Sequence, residues 1–203
     1  MAPNLRPQLA SHPTDLSMAV IPDHAYLTLV VDTHDGPVDV DSSMLQSLGL
    51  SPATAFDGAL EWLRDQAGPE EVLPVDTVPG MSFVQAAAGQ TASRLAVLPS
   101  MLESPPLGGI LAAVPSGNQL LCVPVDSVGA VQALRVLAGA VGTAYEHATH
   151  PISDQLFWYD GAAWWVVHVD RSEADITVLP PHSFFERMRQ VASMDLVRVA
   201  GEA

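Results

Sequence analysis

Residues 108–126 read GGILAAVPSGNQLLCVPVD. Two apolar runs, residues 110–114 and 120–123, flank Pro115-Ser116-Gly117-Asn118. Gly and Asn tolerate the positive φ that tight hairpin turns require, so the stretch reads as a β-hairpin. The runs are continuous rather than alternating, which places both faces of these strands under cover. Such strands lie centrally in a sheet with a helix on at least one face. Pro115 and Pro124 have no N–H for the ladder and belong at strand ends.

Downstream, Asp126 or Ser127 is expected to cap the longest helix. Its Val128, Val131, Leu134, Val136, Leu137, Ala138 and Val141 load most of its surface with apolar groups, so it should pack deeply on the sheet. Strands are predicted over 155–159, 163–169 and 175–179, with turns at Asp160-Gly161 and at 170–173. Ser183 and Glu186 have capping-box spacing, opening a helix to about Ser193. Residues 196–199 suit an edge strand.

Upstream, residues 25–32 (AYLTLVVD) read as a strand, 32–37 as a turn, 38–40 as a short strand and about 41–48 as a short helix. Ser51-Pro52 opens a stronger helix, Ser as N-cap and Pro at the first turn. Phe56, Ala59, Leu60 and Leu63 give it one apolar stripe, and Gly68-Pro69 ends it. Residues 72–78 and 81–86 flank Pro79-Gly80 as a hairpin. Residues 91–102 read as a helix that Pro99 interrupts. Residues 1–22, with Pro3, Pro7, Pro13 and Pro22, read as a flexible or surface-draped arm. At least three hairpins make the fold class α+β, a mixed, mainly antiparallel sheet built from hairpins with helices packed on it. Residues 23–203 are expected to form a single α+β domain, with two lobes, about 23–104 and 105–203, as the alternative.

The chain has 203 residues, 48% of them hydrophobic, enough for a packed core. All basic residues are arginine, and the net charge is −15. That charge argues against nucleic acid, which demands clustered cations, and against anionic membranes. It favours a basic protein partner, or serves only to keep an apolar protein soluble. No window approaches a membrane span, and no basic-then-apolar leader opens the chain, so the expected location is the cytoplasm. One cysteine excludes an internal disulfide.

Several short motifs carry a resemblance over residues 45–188. Leu48-Gly49-Leu50-Ser51 leads into the helix with Ala59-Leu60. Ala92-Ser93-Arg94-Leu95 precedes the central hairpin, which contains Ala113-Val114-Pro115-Ser116. The long helix follows, then Ile152-Ser153-Asp154 and an aromatic strand. In this order the chain resembles the YtpQ-like family of uncharacterised bacterial proteins. That family commonly carries Arg-Asp after the Pro-Ser of the turn, where this chain has Gly117-Asn118. The resemblance implies a bacterial origin and the fold, and no activity.

The chemical candidates are weak one by one. Cys122 lies mid-strand without a basic neighbour, and a buried, inert thiol fits better than a nucleophile. His147 and His150 have a zinc-compatible spacing, but no further ligand cluster stands nearby. Asp32, Asp35, Asp39 and Asp41 crowd one turn without EF-hand order, which fits a solvated acidic turn; whether that turn binds a cation is left open. His168 and Asp170 share a strand face and could meet Asp154 or Ser153, though no nucleophile elbow exists. Neither a Walker loop nor a dinucleotide fingerprint occurs. No catalytic residue, metal ligand or cofactor is assigned.

The aromatic meander is the strongest candidate. Phe157, Trp158, Tyr159, Trp164 and Trp165 fall within nine residues. Aromatics of this kind either fill a core or form an interface anchor. The expectation is a bacterial, non-enzymatic interaction, accessory or immunity-type protein. It would bind a protein partner through this aromatic face and the acidic surface, with self-association as a variant. The alternative is an enzyme or small-ligand binder with a site around His168, Asp154 and Asp170.

Overall fold

The computed structural model describes residues 5–34, 36–86, 90–102, 104, 106–172 and 175–201. A smaller sheet holds β1 (Leu5–Ala10), β2 (Ser17–Ile21), β3 (Ala25–Thr33) and β4 (Gly36–Asp39). β3 is its middle strand: β1 runs along one edge, while β2 and β4 share the other. Of the segment read as a flexible or surface-draped arm, residues 5–10 and 17–21 are strands. Its prolines misled the reading, because Pro7 sits on an edge strand where a missing N–H is tolerated. Ser93 covers that edge, accepting from Leu9 N at 3.2 Å and donating to Pro7 O at 3.1 Å.

A larger sheet has seven strands. They are β5 (Val72–Pro74), β6 (Ser82–Val84), β7 (Ile110–Ser116), β8 (Gln119–Pro124), β9 (Leu156–Tyr159), β10 (Trp164–Arg171) and β11 (Ile176–Leu179). The spatial order is β11-β10-β9-β7-β8-β6-β5, and every described pairing is antiparallel. The central hairpin sits in the middle, as its continuous apolar runs demand. β5 and β6 precede residue 104 yet belong to this sheet, so it takes strands from both sides of that position.

The helices are α1 (Ser42–Ser47), α2 (Pro52–Gln66), α3 (Leu98–Met101), α4 (Ala130–Glu146) and α5 (His182–Gly201). Ser51 caps α2, its Oγ accepting from Thr54 N at 3.1 Å with Pro52 in the first turn. Ser51→Ala is expected to cost about 1 kcal/mol, read as a lower urea midpoint with an unchanged m-value. Residues 91–102 form a 3₁₀ stretch, Ala92–Ala96, and then the short α3, with Pro99 accommodated in α3's first turn. α4 begins later than expected: neither Asp126 nor Ser127 caps it, and Gly129 stands at the cap without a side-chain bond. Ser183 lies inside α5 rather than at its cap. The helix also continues through 196–199, where an edge strand was expected. Helix propensity in that segment prevails over the short β-branched run.

Among the described residues the core falls into two clusters, split by the two-residue period of the strands. Ile110, Ala112, Val114 and Phe157 pack with the smaller sheet, α1 and α2. Leu111, Ala113, Leu156 and Trp158 face the other way, onto α4 and α5. No described helix is long and apolar enough to cross a membrane.

Candidate functional site

Register decides which aromatics can meet a partner. Trp164 pairs with Tyr159, Trp165 with Trp158, and Val166 with Phe157. Phe157 and Trp158 are 0% and 1% exposed, so both are core, a correction to their expected place in an interface. Strand β9 lies inside the sheet, and both of its faces are covered at Phe157 and Trp158. Trp158 donates its indole N–H to Gly108 O at 2.8 Å and meets the Phe184 ring edge-on at 5.2 Å. Gly109 makes room for this contact: its φ is +87°, and a Cβ there would strike the carbonyl oxygen of Tyr159.

The other three aromatics lie at the turn end of the β9–β10 hairpin. Tyr159 and Trp164 are half-buried with ring centroids 5.2 Å apart, and Trp165 is 45% exposed. Trp165 is held in place, its indole N–H reaching Asp160 Oδ2 at 2.8 Å. Asp160 Oδ1 accepts from Ala162 N and Ala163 N at 2.8 and 2.9 Å. Desolvation pushes the Asp160 carboxyl up, but these N–H groups, the indole and Arg187 outweigh it and hold the group below its ordinary value. With the folded value depressed, the turn's stabilisation is present above the ordinary carboxylate range and is lost as pH falls through the folded value. Asp160→Asn should remove that acid sensitivity in a pH series of thermal melts.

Tyr159 and Trp164 also wall a shallow groove of about 350 Å³, shared with Met18 and Val20 of β2, Leu60 and Arg64 of α2, and Pro99 of α3. Beside it, Asp57, Glu61 and Asp65 are exposed at successive four-residue steps of α2, one acidic strip next to Leu60 and Arg64. Among the described residues none of the three is ion-paired. Reading residues 1–22 as an arm hid Met18 and Val20, although residues 16–21 (LSMAVI) are a visible apolar run. The i, i+4 carboxylate spacing of α2 was likewise available as a signal.

The polar candidates also converge. Ser153, Asp154, His168 and Asp170 line one cleft of about 580 Å³, joined by Asp23 and His24 from the β2–β3 turn. His24 stands edge-on to His168 with centroids 6.4 Å apart. Asp23 has φ +63°, a conformation that Asp adopts more readily than most residues. No triad is assembled there. Ser153 Oγ accepts from Gln155 N at 3.1 Å, and Asp154 is engaged by Arg171 at 3.1 Å and by Gln155 Nε2 at 2.9 Å. No described hydrogen bond links His168 to any of them.

The acidic turn separates on folding. Asp32 pairs with Arg6, Asp41 caps α1 through Met44 N at 2.8 Å, and Asp35 lies outside the described residues. His147 gives its Nδ1 proton to Thr143 O at 2.8 Å. Among the described residues no three His, Cys, Asp or Glu side chains stand together to hold a metal. Burial pushes the Cys122 thiol up to about 12. Cys122 should therefore stay unlabelled by a thiol reagent in native buffer and react at once in denaturant. No known family model, curated protein or solved structure matches the chain. The likeness to YtpQ-like proteins rests on its short motifs alone.

Proposed function

We propose that this chain is a non-enzymatic interaction protein, an accessory or immunity-type factor of the bacterial cytoplasm. In this reading it seats a basic segment of a protein partner in the groove walled by Tyr159 and Trp164. One observation carries the reading: the half-buried Tyr159 and Trp164 border an apolar groove, and an acidic strip without described ion pairs runs alongside it. Tyr and Trp supply large contact area at little entropic cost and dominate interface hot spots. The carboxylates would steer and orient a cationic partner. Trp165, pinned by Asp160, would extend the contact around the tip of the hairpin.

The two parts of the surface should act on different rates. Neutralising the strip (Asp57→Asn, Glu61→Gln, Asp65→Asn) is expected to slow association several-fold at low salt with little change in dissociation. Trp164→Ala should chiefly speed dissociation. Surface plasmon resonance on the captured partner separates the two, and equal effects on both rates would count against this division of labour. Self-association through the same end of the sheet would instead show as a dimer in sedimentation that Trp164→Ala dissolves.

A second reading takes the His168, Asp154 and Asp170 cleft as a small-ligand site, supported by the convergence of these residues in one hollow. A metabolite that raises the melting temperature of the wild type but not of His168→Ala would favour it.

A further inference from the structure

A further cleft, of about 960 Å³, adjoins the His168 cleft through Ser11, His12, Pro151 and Ile152 and is otherwise separate from it. It lies between the tip of the β7–β8 hairpin, the C-terminal end of α4 and the segment after β1. Its volume is at the upper end of the range for small-molecule sites. The chain carries 23 acidic residues. Yet no described carboxylate lines this cleft, whereas His12, His147 and His150 do. Asp39 of β4 and Glu146 of α4, close along the chain to Pro37 and His147, are not among its walls. Asp23, Asp154 and Asp170, with His24 and His168, face the neighbouring cleft beyond His12 and Ile152.

The walls are fixed by the backbone. Gly117 N donates to His150 O at 3.2 Å, and Ile152 N donates to Pro115 O at 3.0 Å, which binds the histidine segment to the hairpin tip. Ser116 Oγ, on a buried residue, stands 2.7 Å from Asn118 Oδ1 and 3.1 Å from Gln119 Oε1 and shares its single proton between them. The NH₂ group of each amide is a donor that the hydroxyl does not use. His147 is held by its bond to Thr143 O, so that its Nε2 is the free nitrogen. The described walls of this hollow bring imidazoles and amide groups together and include no carboxylate. Each imidazole that takes a proton adds a cation and a donor.

We propose that this cleft binds a small anionic metabolite, with His12, His147 and His150 supplying charge and Asn118 and Gln119 neutral donors. Linkage then requires that the anion and the imidazole protons bind cooperatively, so the anion raises the proton affinity of the histidines it touches. Inorganic sulfate is a suitable probe, because its charge is constant through the imidazole titration. The experiment follows the imidazole resonances of the full chain by NMR through a pH titration, with sulfate or with chloride at equal ionic strength. Sulfate is expected to raise the midpoints of His12, His147 and His150 by at least half a pH unit, a threefold or greater change in proton affinity. It should leave His34 and His182, which lie outside the cleft, unmoved. Asn118→Asp with Gln119→Glu, both exposed at the hairpin tip, should abolish the effect without unfolding the chain. Equal movement of all the histidines, which marks an adventitious ion only, or no movement of the three, overturns the proposal.

Discussion

Arg94→Ala is expected to lower stability by about 3–5 kcal/mol, as removal of one partner from a buried ion pair does. Arg94 is 1% exposed. Its Nε and Nη2 meet both oxygens of Glu71, at 2.7 and 2.9 Å, and Nη2 also reaches Gln66 O at 3.2 Å. One side chain thus ties the 3₁₀ stretch to the C-terminal end of α2 and to the turn before β5. Alanine would leave a largely covered carboxylate and a carbonyl without their donor. Glu71→Leu alone should be as harmful, because it strands a buried guanidinium whose Nη1 already has no partner. Arg94→Met with Glu71→Leu should recover most of the loss, since an apolar pair of similar volume removes both charges together. Urea denaturation of the two single variants and the double variant closes the cycle. Losses below about 1 kcal/mol for Arg94→Ala would show that the pair is no tie at all.

The second large effect separates two adjacent-strand tryptophans that the sequence alone cannot tell apart. Trp158→Ala should cost about 3–5 kcal/mol, through the lost burial, the cavity beside Phe184 and the orphaned Gly108 carbonyl. Trp165→Ala, at a half-exposed position, should cost less than about 1 kcal/mol. The pair faces the same side of the sheet in register, so only the cover differs: α5 lies over Trp158 and leaves Trp165 open. Similar losses at both positions would mean that the aromatic hairpin is core throughout and offers no surface to a partner.

These two residues also mark where sequence reasoning reaches its limit. Strand periodicity and turn chemistry placed the central hairpin, the Asp160-Gly161 turn and the capped start of α2, because each is settled within a few residues. Which of two faces is covered, and how far along the strand, depends on elements distant in the chain. Phe157 is buried by the smaller sheet and Trp158 by α5. Residues 5–21 were misread for a similar reason: Pro7 and Pro13 argue against regular structure locally, yet β3 supplies a template that needs no donor at position 7. The polar residues show the same pattern. His168 and Asp170 could be placed on one strand face, but their meeting with Asp23 and His24 depends on how the two sheets pack. The Arg94–Glu71 pair, 23 residues apart, left no periodic trace.

The measurement that bears most directly on the proposed function is comparative capture from the source cells. Tagged wild type and Trp164→Ala/Trp165→Ala, matched by circular dichroism and melting temperature, are used as baits at low salt and at about 0.5 M salt, where exposed charges are largely screened. The account predicts one stoichiometric, basic protein on the wild type, weakened by salt and missing from the double variant. Identical recoveries on both baits, or a wild type that retains nothing and sediments as a monomer, would contradict it.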